Sequence, residues 1–276
     1  MPSHTPTLGI IAGNGRLPAQ LVESCEATGR KFFVLAFEDY ADMEAIRHVP
    51  HAAVRLGAVG EALEHLRKAG VEEVVMAGSV KRPSFFSLRP DAAGAKLLAR
   101  MGTAFFSGDD ALLGAIVSFL EEEGFKVIGS DEIMGGLVAP SGILGKIKPD
   151  TCAKADIAHG MRVAKALGEL DVGQAVIVEH GYVLGVEAAE GTDALIERCG
   201  ALKREARGGV LVKVRKPGQD ARVDLPAIGP QTVEKVHAAG LGGIAIEADG
   251  GLILDKEKTI ATGDTLGVFV VGVRHE

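Results

Sequence analysis

Residues 212–236, VKVRKPGQDARVDLPAIGPQTVEKV, form the densest polar stretch of the chain. Its charged side chains include the cations Lys213, Arg215, Lys216 and Arg222 and the carboxylates Asp220 and Asp224. Cations placed beside a phosphate stabilise the negative charge that develops during phosphoryl transfer. A carboxylate in such a loop either binds Mg²⁺, which prefers oxygen ligands, or activates a water molecule. The segment favours chemistry on a phosphate, although this composition is more often found in a solvated loop with surface ion pairs.

Glu187, Gly191 and Thr192 form a second candidate within VEAAEGTD, where a predicted strand meets a predicted helix. A carboxylate, a glycine N–H and a hydroxyl at such a junction could contact a phosphate or a metal ion. Thr192 is also a good residue to cap the start of a helix, which is the purely structural alternative. The residues alone leave both roles open.

A glycine turn, GNGRLP, follows the apolar run Leu8–Ala12 and is a third candidate. Gly13, Asn14 and Gly15 allow backbone N–H groups to approach an anion at the start of the following helix. A dinucleotide-binding turn has a third glycine where this chain has Pro18. An NAD-binding oxidoreductase is therefore an alternative interpretation of this turn.

The first half of the sequence alternates between strand-like apolar runs and helix-like stretches. This alternation predicts a parallel sheet with helices on its faces, as a Rossmann-like α/β domain over residues 1–134. Ligands of such sheets bind outside the carboxyl ends of the strands. Ser79 and Lys81, in the segment AGSVKRP after the fourth predicted strand, are therefore expected at the same edge as the glycine turn.

The second half of the sequence has a less regular pattern. The segment GGLVAPSG, which begins at Gly135, is a predicted hinge, and a long predicted helix follows it. Predicted strands and shorter helices then succeed one another to the last strand. We expect an α+β domain with a mixed sheet over residues 135–276, and a ligand cleft between the two domains.

Composition excludes several classes of protein. The net charge of −7 and an aromatic content of 4% argue against a nucleic-acid-binding surface. Three widely separated cysteines form no CxxC pair, so neither a zinc site nor a disulfide framework is expected. No signal peptide is visible, and the longest apolar stretch, ALLGAIVSFL, is too short to span a bilayer. We expect a cytoplasmic protein, with transient contact at a membrane surface left open.

Four motifs, taken in order, carry a family resemblance: GIIAGNGRLP, AGSVKRP, EGTD and KPGQDARVDLPAIGPQT. Together they resemble the LpxI-type UDP-2,3-diacylglucosamine pyrophosphatases of lipid A biosynthesis. The resemblance extends from Leu8 to the last predicted strand, and its fourth motif is long and specific. It implies hydrolysis of UDP-2,3-diacylglucosamine to UMP and 2,3-diacylglucosamine 1-phosphate (lipid X), with water attacking the α-phosphorus and Mg²⁺ required.

The resemblance also implies a role for one residue, and the residue chemistry described above gives the expected roles of the others. Asp224, in the DLP element, corresponds to the residue tied to catalysis, as a metal ligand or as the group that positions water. Lys213 and Arg222 are the expected catalytic cations. The expected substrate-binding residues are Gly13, Asn14, Gly15, Ser79, Lys81, Glu187, Gly191, Thr192, Lys216, Gln219 and Asp220. A homodimer is left open, and a non-catalytic carrier of the UDP-lipid is a third hypothesis.

Overall fold

The computed structural model describes residues 5–81, 88–102, 108–205, 207–220, 222–223 and 225–274. The chain divides into two compact units, Met1–Gly135 and Gly136–Glu276. The predicted domains 1–134 and 135–276, and the ligand cleft expected between them, stay predictions. No helix within the described residues is long and apolar enough to cross a membrane.

The first unit contains a five-stranded sheet in the order β3-β2-β1-β4-β5, with every pair of neighbours parallel. Its strands are β1 Leu8–Ala12, β2 Phe32–Phe37, β3 His51–Val54, β4 Glu73–Ala77 and β5 Lys126–Val127. Strand β1 is buried along its whole length, as its uninterrupted apolar sequence requires for a central parallel strand. The predicted Rossmann-like parallel sheet is confirmed.

The helices of the first unit connect these strands. They are α1 Leu17–Thr28, α2 Met43–Ile46, α3 Val59–Lys68, α4 Ala92–Met101, α5 Asp109–Glu122 and α6 Ser130–Ile133. Pro18 lies in the first turn of α1, where its missing N–H removes no helical hydrogen bond. The Asp91 carboxylate accepts hydrogen bonds from the N–H groups of Gly60 and Gly94, both at 2.7 Å, and so joins the starts of α3 and α4.

The second unit contains a six-stranded mixed sheet in the order β6-β13-β11-β9-β7-β8 and a parallel pair, β10 with β12. Its strands are β6 Gly142–Ile143, β7 Ala175–Glu179, β8 Tyr182–Val186, β9 Val210–Lys213, β10 Ala227–Ile228, β11 Gly243–Glu247, β12 Leu252–Ile253 and β13 Phe269–Val273. Strands β9, β11 and β13 run parallel, whereas β6 and β7 are antiparallel to their neighbours. The predicted mixed sheet is confirmed.

Both faces of this sheet are covered. Its helices are α7 Thr151–Glu169, α8 Gly191–Gly200, α9 Pro230–Ala238 and α10 Lys256–Leu266. Alternate residues of a strand face opposite sides, so Val212 packs with Met161 of α7, whereas Leu211 packs with Leu195 of α8 on the other face. Helix α7 lies close to the sheet at Gly160, where a Cβ atom would come within 2.6 Å of the Val212 side chain.

Several elements were not predicted from the sequence. Helix α10 lies in a segment left unassigned, because its buried residues, Thr259 and Gly263, give no apolar periodicity. The two-residue strands β6 and β10 were not predicted either. These strands are too short to show the alternation that identifies a strand.

Candidate active site

The three parallel strands of the second unit place charged residues at one edge of the sheet. Lys213 closes β9, Glu247 closes β11 and Arg274 follows β13. A pocket of about 270 Å³ lies at this edge, lined by Arg215, Glu247, Ala248, Asp249, Gly250 and Arg274. Because ligands of open α/β sheets bind outside the carboxyl ends of parallel strands, this edge is the candidate active site of the second unit.

Lys213 is a lysine held inside the protein, with only 6% of its surface exposed. Its ammonium group donates a hydrogen bond to the carbonyl oxygen of Ala227 at 3.1 Å. Ala227 begins β10 and is three residues beyond Asp224 in the chain. Asp224, the predicted catalytic and metal-binding residue, lies outside the described residues, so its predicted roles stay predictions.

Asp220 and Arg222 form a local ion pair in the same loop. The Arg222 side chain donates to both carboxylate oxygens of Asp220, with Nε to Oδ1 at 2.9 Å and Nη2 to Oδ2 at 2.7 Å. The backbone N–H of Arg222 donates to Oδ1 as well, at 3.0 Å. These hydrogen bonds hold the pKa of Asp220 below its usual value of 3.8, although partial burial acts in the opposite direction.

We expect Arg222→Met to raise the pKa of Asp220, because the cation that favours the carboxylate is lost. With the pKa lowered on folding, the pair stabilises the protein above pH 3.8, and this contribution is lost as the pH falls through the lowered pKa. The pKa is measured by NMR titration of the carboxyl carbon. Lys235→Met, which breaks an exposed pair with Asp193, is the control. An unchanged pKa of Asp220 in Arg222→Met would show that Arg222 does not cause the lowered pKa.

Lys216 and Gln219 are both buried, and their contacts within the protein fix the backbone of the loop. The Lys216 ammonium pairs with the Asp171 carboxylate at 2.6 Å. The Gln219 side-chain oxygen accepts from the Lys216 N–H, and the Gln219 N–H donates to the Lys216 carbonyl, both at 3.3 Å. These contacts are structural, and the predicted binding of substrate by Lys216 and Gln219 stays a prediction.

Glu187 and Thr192 are brought together at the junction of β8 and α8. The Thr192 hydroxyl donates to Glu187 Oε1 at 2.5 Å, and Glu187 Oε2 accepts from the Gln174 N–H at 3.2 Å. Helix α8 begins at Gly191 and has Glu190 as its N-cap, so the structural alternative, in which Thr192 caps the helix, is wrong. The nearby buried carboxylate of Glu187 is the partner that takes the hydroxyl instead.

Thr192→Val should lower the free energy of unfolding by about 1–3 kcal/mol, because it leaves a buried Glu187 oxygen without its donor at almost unchanged volume. Urea unfolding measures this loss. Thr265→Val is the matched control, since the Thr265 hydroxyl donates to the Ala261 carbonyl on the exposed surface of α10. Equal stability of the two variants would show that the Thr192–Glu187 contact contributes nothing.

The two loops predicted to meet in the first unit do so. Asn14 and Ser79 pair through reciprocal N–H to carbonyl hydrogen bonds of 2.8 Å, and the Gly13 N–H donates to the Ala77 carbonyl at 2.8 Å. The N–H groups of Gly13 and Asn14 are therefore occupied by the neighbouring loop. An anion at this turn would have to use the N–H of Gly15 or those in the first turn of α1.

Lys81 is exposed beside this pair of loops, and its carbonyl oxygen accepts from the Tyr40 hydroxyl at 3.0 Å. The next residues of the AGSVKRP motif, Arg82 and Pro83, lie outside the described residues. The structure thus places Ser79 and Lys81 near the glycine turn, while their binding of substrate stays a prediction.

Comparison with known sequences identifies the family. The sequence pattern of the LpxI N-terminal domain matches residues 7–137, and that of the LpxI C-terminal domain matches residues 140–271. The chain is 45% identical over 272 residues to the UDP-2,3-diacylglucosamine pyrophosphatase LpxI of Caulobacter vibrioides, covering 96% of this chain and 97% of that protein. The chain belongs to the LpxI family. These matches give no support to the oxidoreductase alternative.

Similarity to solved structures is weak by comparison. CobK precorrin-6A reductase is 13% identical, covers 98% of this chain and 90% of its own, and gives a TM-score of 0.32. N5-carboxyaminoimidazole synthase from Aspergillus clavatus is 15% identical, covers 72% of this chain and 44% of its own, and gives a TM-score of 0.25. Neither likeness bears on the function of this LpxI family member.

Sequence reasoning missed two residues of the candidate site, Lys165 and Glu247. Glu247 carried a usable signal, because it ends the apolar run GGIAIE just as Ser79 follows the run in the first unit. Lys165 carried none, since it is one of several polar residues on the long helix α7. The two side chains form a buried ion pair, with the Lys165 ammonium 2.7 and 2.8 Å from the Glu247 oxygens.

The described residues do not by themselves assemble a metal site. Among them, no group of three or more His, Cys, Asp or Glu side chains could hold a metal ion. Two carboxylates at this sheet edge, Asp220 and Glu247, are already paired with Arg222 and Lys165. A Mg²⁺ ion commonly takes one or two protein carboxylates and completes its shell with substrate phosphates and water.

Proposed function

We propose that this LpxI family member hydrolyses the pyrophosphate bond of UDP-2,3-diacylglucosamine, releasing UMP and lipid X for lipid A biosynthesis. The observation that carries the proposal is the 45% identity, over 96% of the chain, to the Caulobacter vibrioides pyrophosphatase. Both domain patterns of the family are matched in order along the chain. The charged side chains described at the candidate active site of the second unit are compatible with this reaction.

Cleavage of a phosphoanhydride places negative charge on the oxygens of the transferred phosphorus and on the leaving group. Lys213 is suited to stabilise that charge, because a buried ammonium acts through a lower dielectric than an exposed one. Arg222 is oriented by its bidentate contact with Asp220 and is the second proposed cation. Asp224 is proposed to act on the attacking water or to bind the metal ion, and both roles remain part of the proposal.

Mg²⁺ is included in the proposal, with Asp224 as the candidate protein ligand if it takes the metal-binding role. Because the described carboxylates of the site are paired with cations, the remaining ligands would come from substrate oxygens and water. When bound, the ion would neutralise negative charge on the diphosphate. Lys213 and Arg222 would add their charge independently of the metal.

Removal of divalent cations with EDTA is expected to abolish UMP release, and added Mg²⁺ should restore it. The physical reason is that the Asp224 carboxylate and the diphosphate are both anionic, so a divalent cation is needed to offset the charge where they meet. Product release is followed with and without chelator. Addition of Ca²⁺ in place of Mg²⁺ then tests whether the reaction needs Mg²⁺, which is the smaller ion and prefers octahedral geometry. Unchanged turnover in EDTA would remove Mg²⁺ from the proposal without affecting the assignment of the substrate.

The decisive experiment supplies purified protein with UDP-2,3-diacylglucosamine in H₂¹⁸O. We expect UMP and lipid X as products, with the ¹⁸O label in UMP, because attack at the α-phosphorus leaves the new oxygen on the uridine side. Label in lipid X would place the attack at the other phosphorus. Tight binding without UMP release would favour the carrier hypothesis instead.

Homodimer formation and transient contact with the inner membrane surface stay predictions. Gel filtration with light scattering tests the first, and sedimentation with anionic lipid vesicles tests the second. Neither is required by the proposed hydrolysis.

A further inference from the structure

The Lys165–Glu247 ion pair is a largely enclosed polar contact of the second unit. The side chains of Lys165 and Glu247 are 18% and 12% exposed. Lys165 belongs to α7 and Glu247 closes β11, so the pair joins two elements that are 82 residues apart in the chain. Replacing a buried ion pair with apolar residues is often neutral or stabilising, so stability alone does not account for this pair.

The pair also holds both backbone groups of Arg215. The Lys165 ammonium donates to the Arg215 carbonyl oxygen at 2.9 Å, and the Arg215 N–H donates to Glu247 Oε2 at 2.7 Å. Arg215 stands two residues beyond the end of β9. The pair therefore fixes the chain where the strand ends and the loop 214–226 begins.

The end of α7 supports the next two residues of this loop. Lys216 pairs with Asp171, just beyond the helix, at 2.6 Å. A Cβ atom at Gly168 would come within 3.0 Å of Pro217 Cδ and 3.1 Å of Lys216 Cα, so a larger residue would require the loop to shift by a few tenths of an ångström. The far end of the loop is held separately, by the hydrogen bond from Lys213 to Ala227.

We propose that Lys165 and Glu247 are positioning residues for the reaction, acting through Arg215 on the loop 214–226 that carries Arg222 and Asp224. This inference rests on the proposed function for its effect on turnover. The described part of the loop contains no helix or strand, so its course depends on how its ends are held. Misplacing a catalytic group by about 1 Å costs about a hundredfold in rate, so a small shift of the loop on loss of the pair would have a large effect on kcat.

Three variants test the proposal. Glu247→Ala removes the acceptor of the Arg215 N–H and is expected to lower kcat by about ten- to a hundredfold, with KM changed less than about threefold. Glu247→Gln keeps an oxygen acceptor and should recover most of this loss. Lys165→Met removes the donor to the Arg215 carbonyl and should lower kcat in the same way.

A double-mutant cycle gives a readout that general destabilisation would not. Because both residues hold the backbone of Arg215, Lys165→Met with Glu247→Ala should cost little more than the worse single variant. The exposed pair Asp193–Lys235 supplies the matched control, Asp193→Ala with Lys235→Met, for which kcat should not change. Additive losses in the Lys165–Glu247 cycle would overturn the shared positioning role.

Hydrogen exchange measures the same proposal without relying on activity. Peptides that cover residues 214–220 should exchange faster in Glu247→Ala than in the wild-type protein or Glu247→Gln, while peptides from α9 exchange at the same rate. If the wild-type protein releases UMP and Glu247→Ala matches its kcat and exchange, the positioning proposal is overturned alone. If the wild-type protein releases no UMP, the proposed function fails and the exchange result still decides whether the pair holds the loop.

Discussion

Asp224→Asn should reduce UMP release from UDP-2,3-diacylglucosamine by at least about a hundredfold, because loss of a general base or of an equivalent group typically costs at least that much in rate. Asparagine keeps the size of the side chain and removes the negative charge that either proposed role requires. KM is expected to change little if the residue acts on the attacking water. The measurement is kcat by product release, with thermal unfolding to show that the fold is intact.

The choice between the two roles of Asp224 follows from the metal dependence of the variant. If Asp224 binds Mg²⁺, the remaining activity of Asp224→Asn should rise with Mg²⁺ concentrations well above those that saturate the wild-type protein. If it positions water, the remaining activity should saturate at the same Mg²⁺ concentration as that of the wild-type protein. Asp193→Asn, which alters an exposed carboxylate of the same unit, is the control and should keep wild-type turnover. Wild-type activity in Asp224→Asn would exclude both roles.

Local patterns predicted those parts of the fold that depend on neighbouring residues. The apolar run Leu8–Ala12 and the following glycine turn gave a buried parallel strand and a helix with Pro18 in its first turn. The pairing of Asn14 with Ser79 followed from the rule that parallel strands end at one edge, although the residues are far apart in the chain. What the rule could not give was the direction of the N–H groups, which depends on the approach of the two loops.

Side-chain contacts across the second unit were beyond the reach of sequence patterns. Lys216 has the positively charged side chain that a phosphate-binding residue needs, yet its ammonium pairs with Asp171, 45 residues away. Thr192 satisfies the local preference for a helix cap, but a buried glutamate five residues earlier takes its hydroxyl. In both cases a contact that exists only after folding decides the role of the side chain.

The Lys165–Glu247 pair is another contact that sequence patterns could not predict. Nothing in the sequence of α7 distinguishes Lys165 from the exposed polar residues around it, because the helix period alone does not tell which partner strand carries a carboxylate. Its importance arises from the register of β9 and β11, which places the Glu247 carboxylate beside the backbone of Arg215. Prediction of this pair would have required the sheet order in advance.

Lys213→Met is the variant of the second unit expected to have the largest effect after Asp224. Loss of one preorganised charge or donor at a reacting oxygen typically costs about a hundred- to a thousandfold in kcat. Methionine fills a similar volume but leaves the Ala227 carbonyl without its ammonium donor, for which we expect a loss of about 1–3 kcal/mol in the free energy of unfolding. Both quantities are measured, by product release and by urea unfolding.

The comparison of these two losses decides what Lys213 does. If the ammonium acts on the diphosphate, Lys213→Met should lose far more activity than its reduced stability explains, and activity should stay low at temperatures where the variant is fully folded. If the ammonium only holds Ala227, cooling the variant well below its unfolding transition should restore turnover. Lys235→Met, which removes a half-exposed ammonium paired with Asp193, should change neither quantity and fixes the scale for a surface lysine. We therefore expect Lys213→Met to differ from the Lys235→Met control mainly in kcat. The reason is that charge on the diphosphate would develop at the sheet edge, at the carboxyl end of β9, and not at the surface.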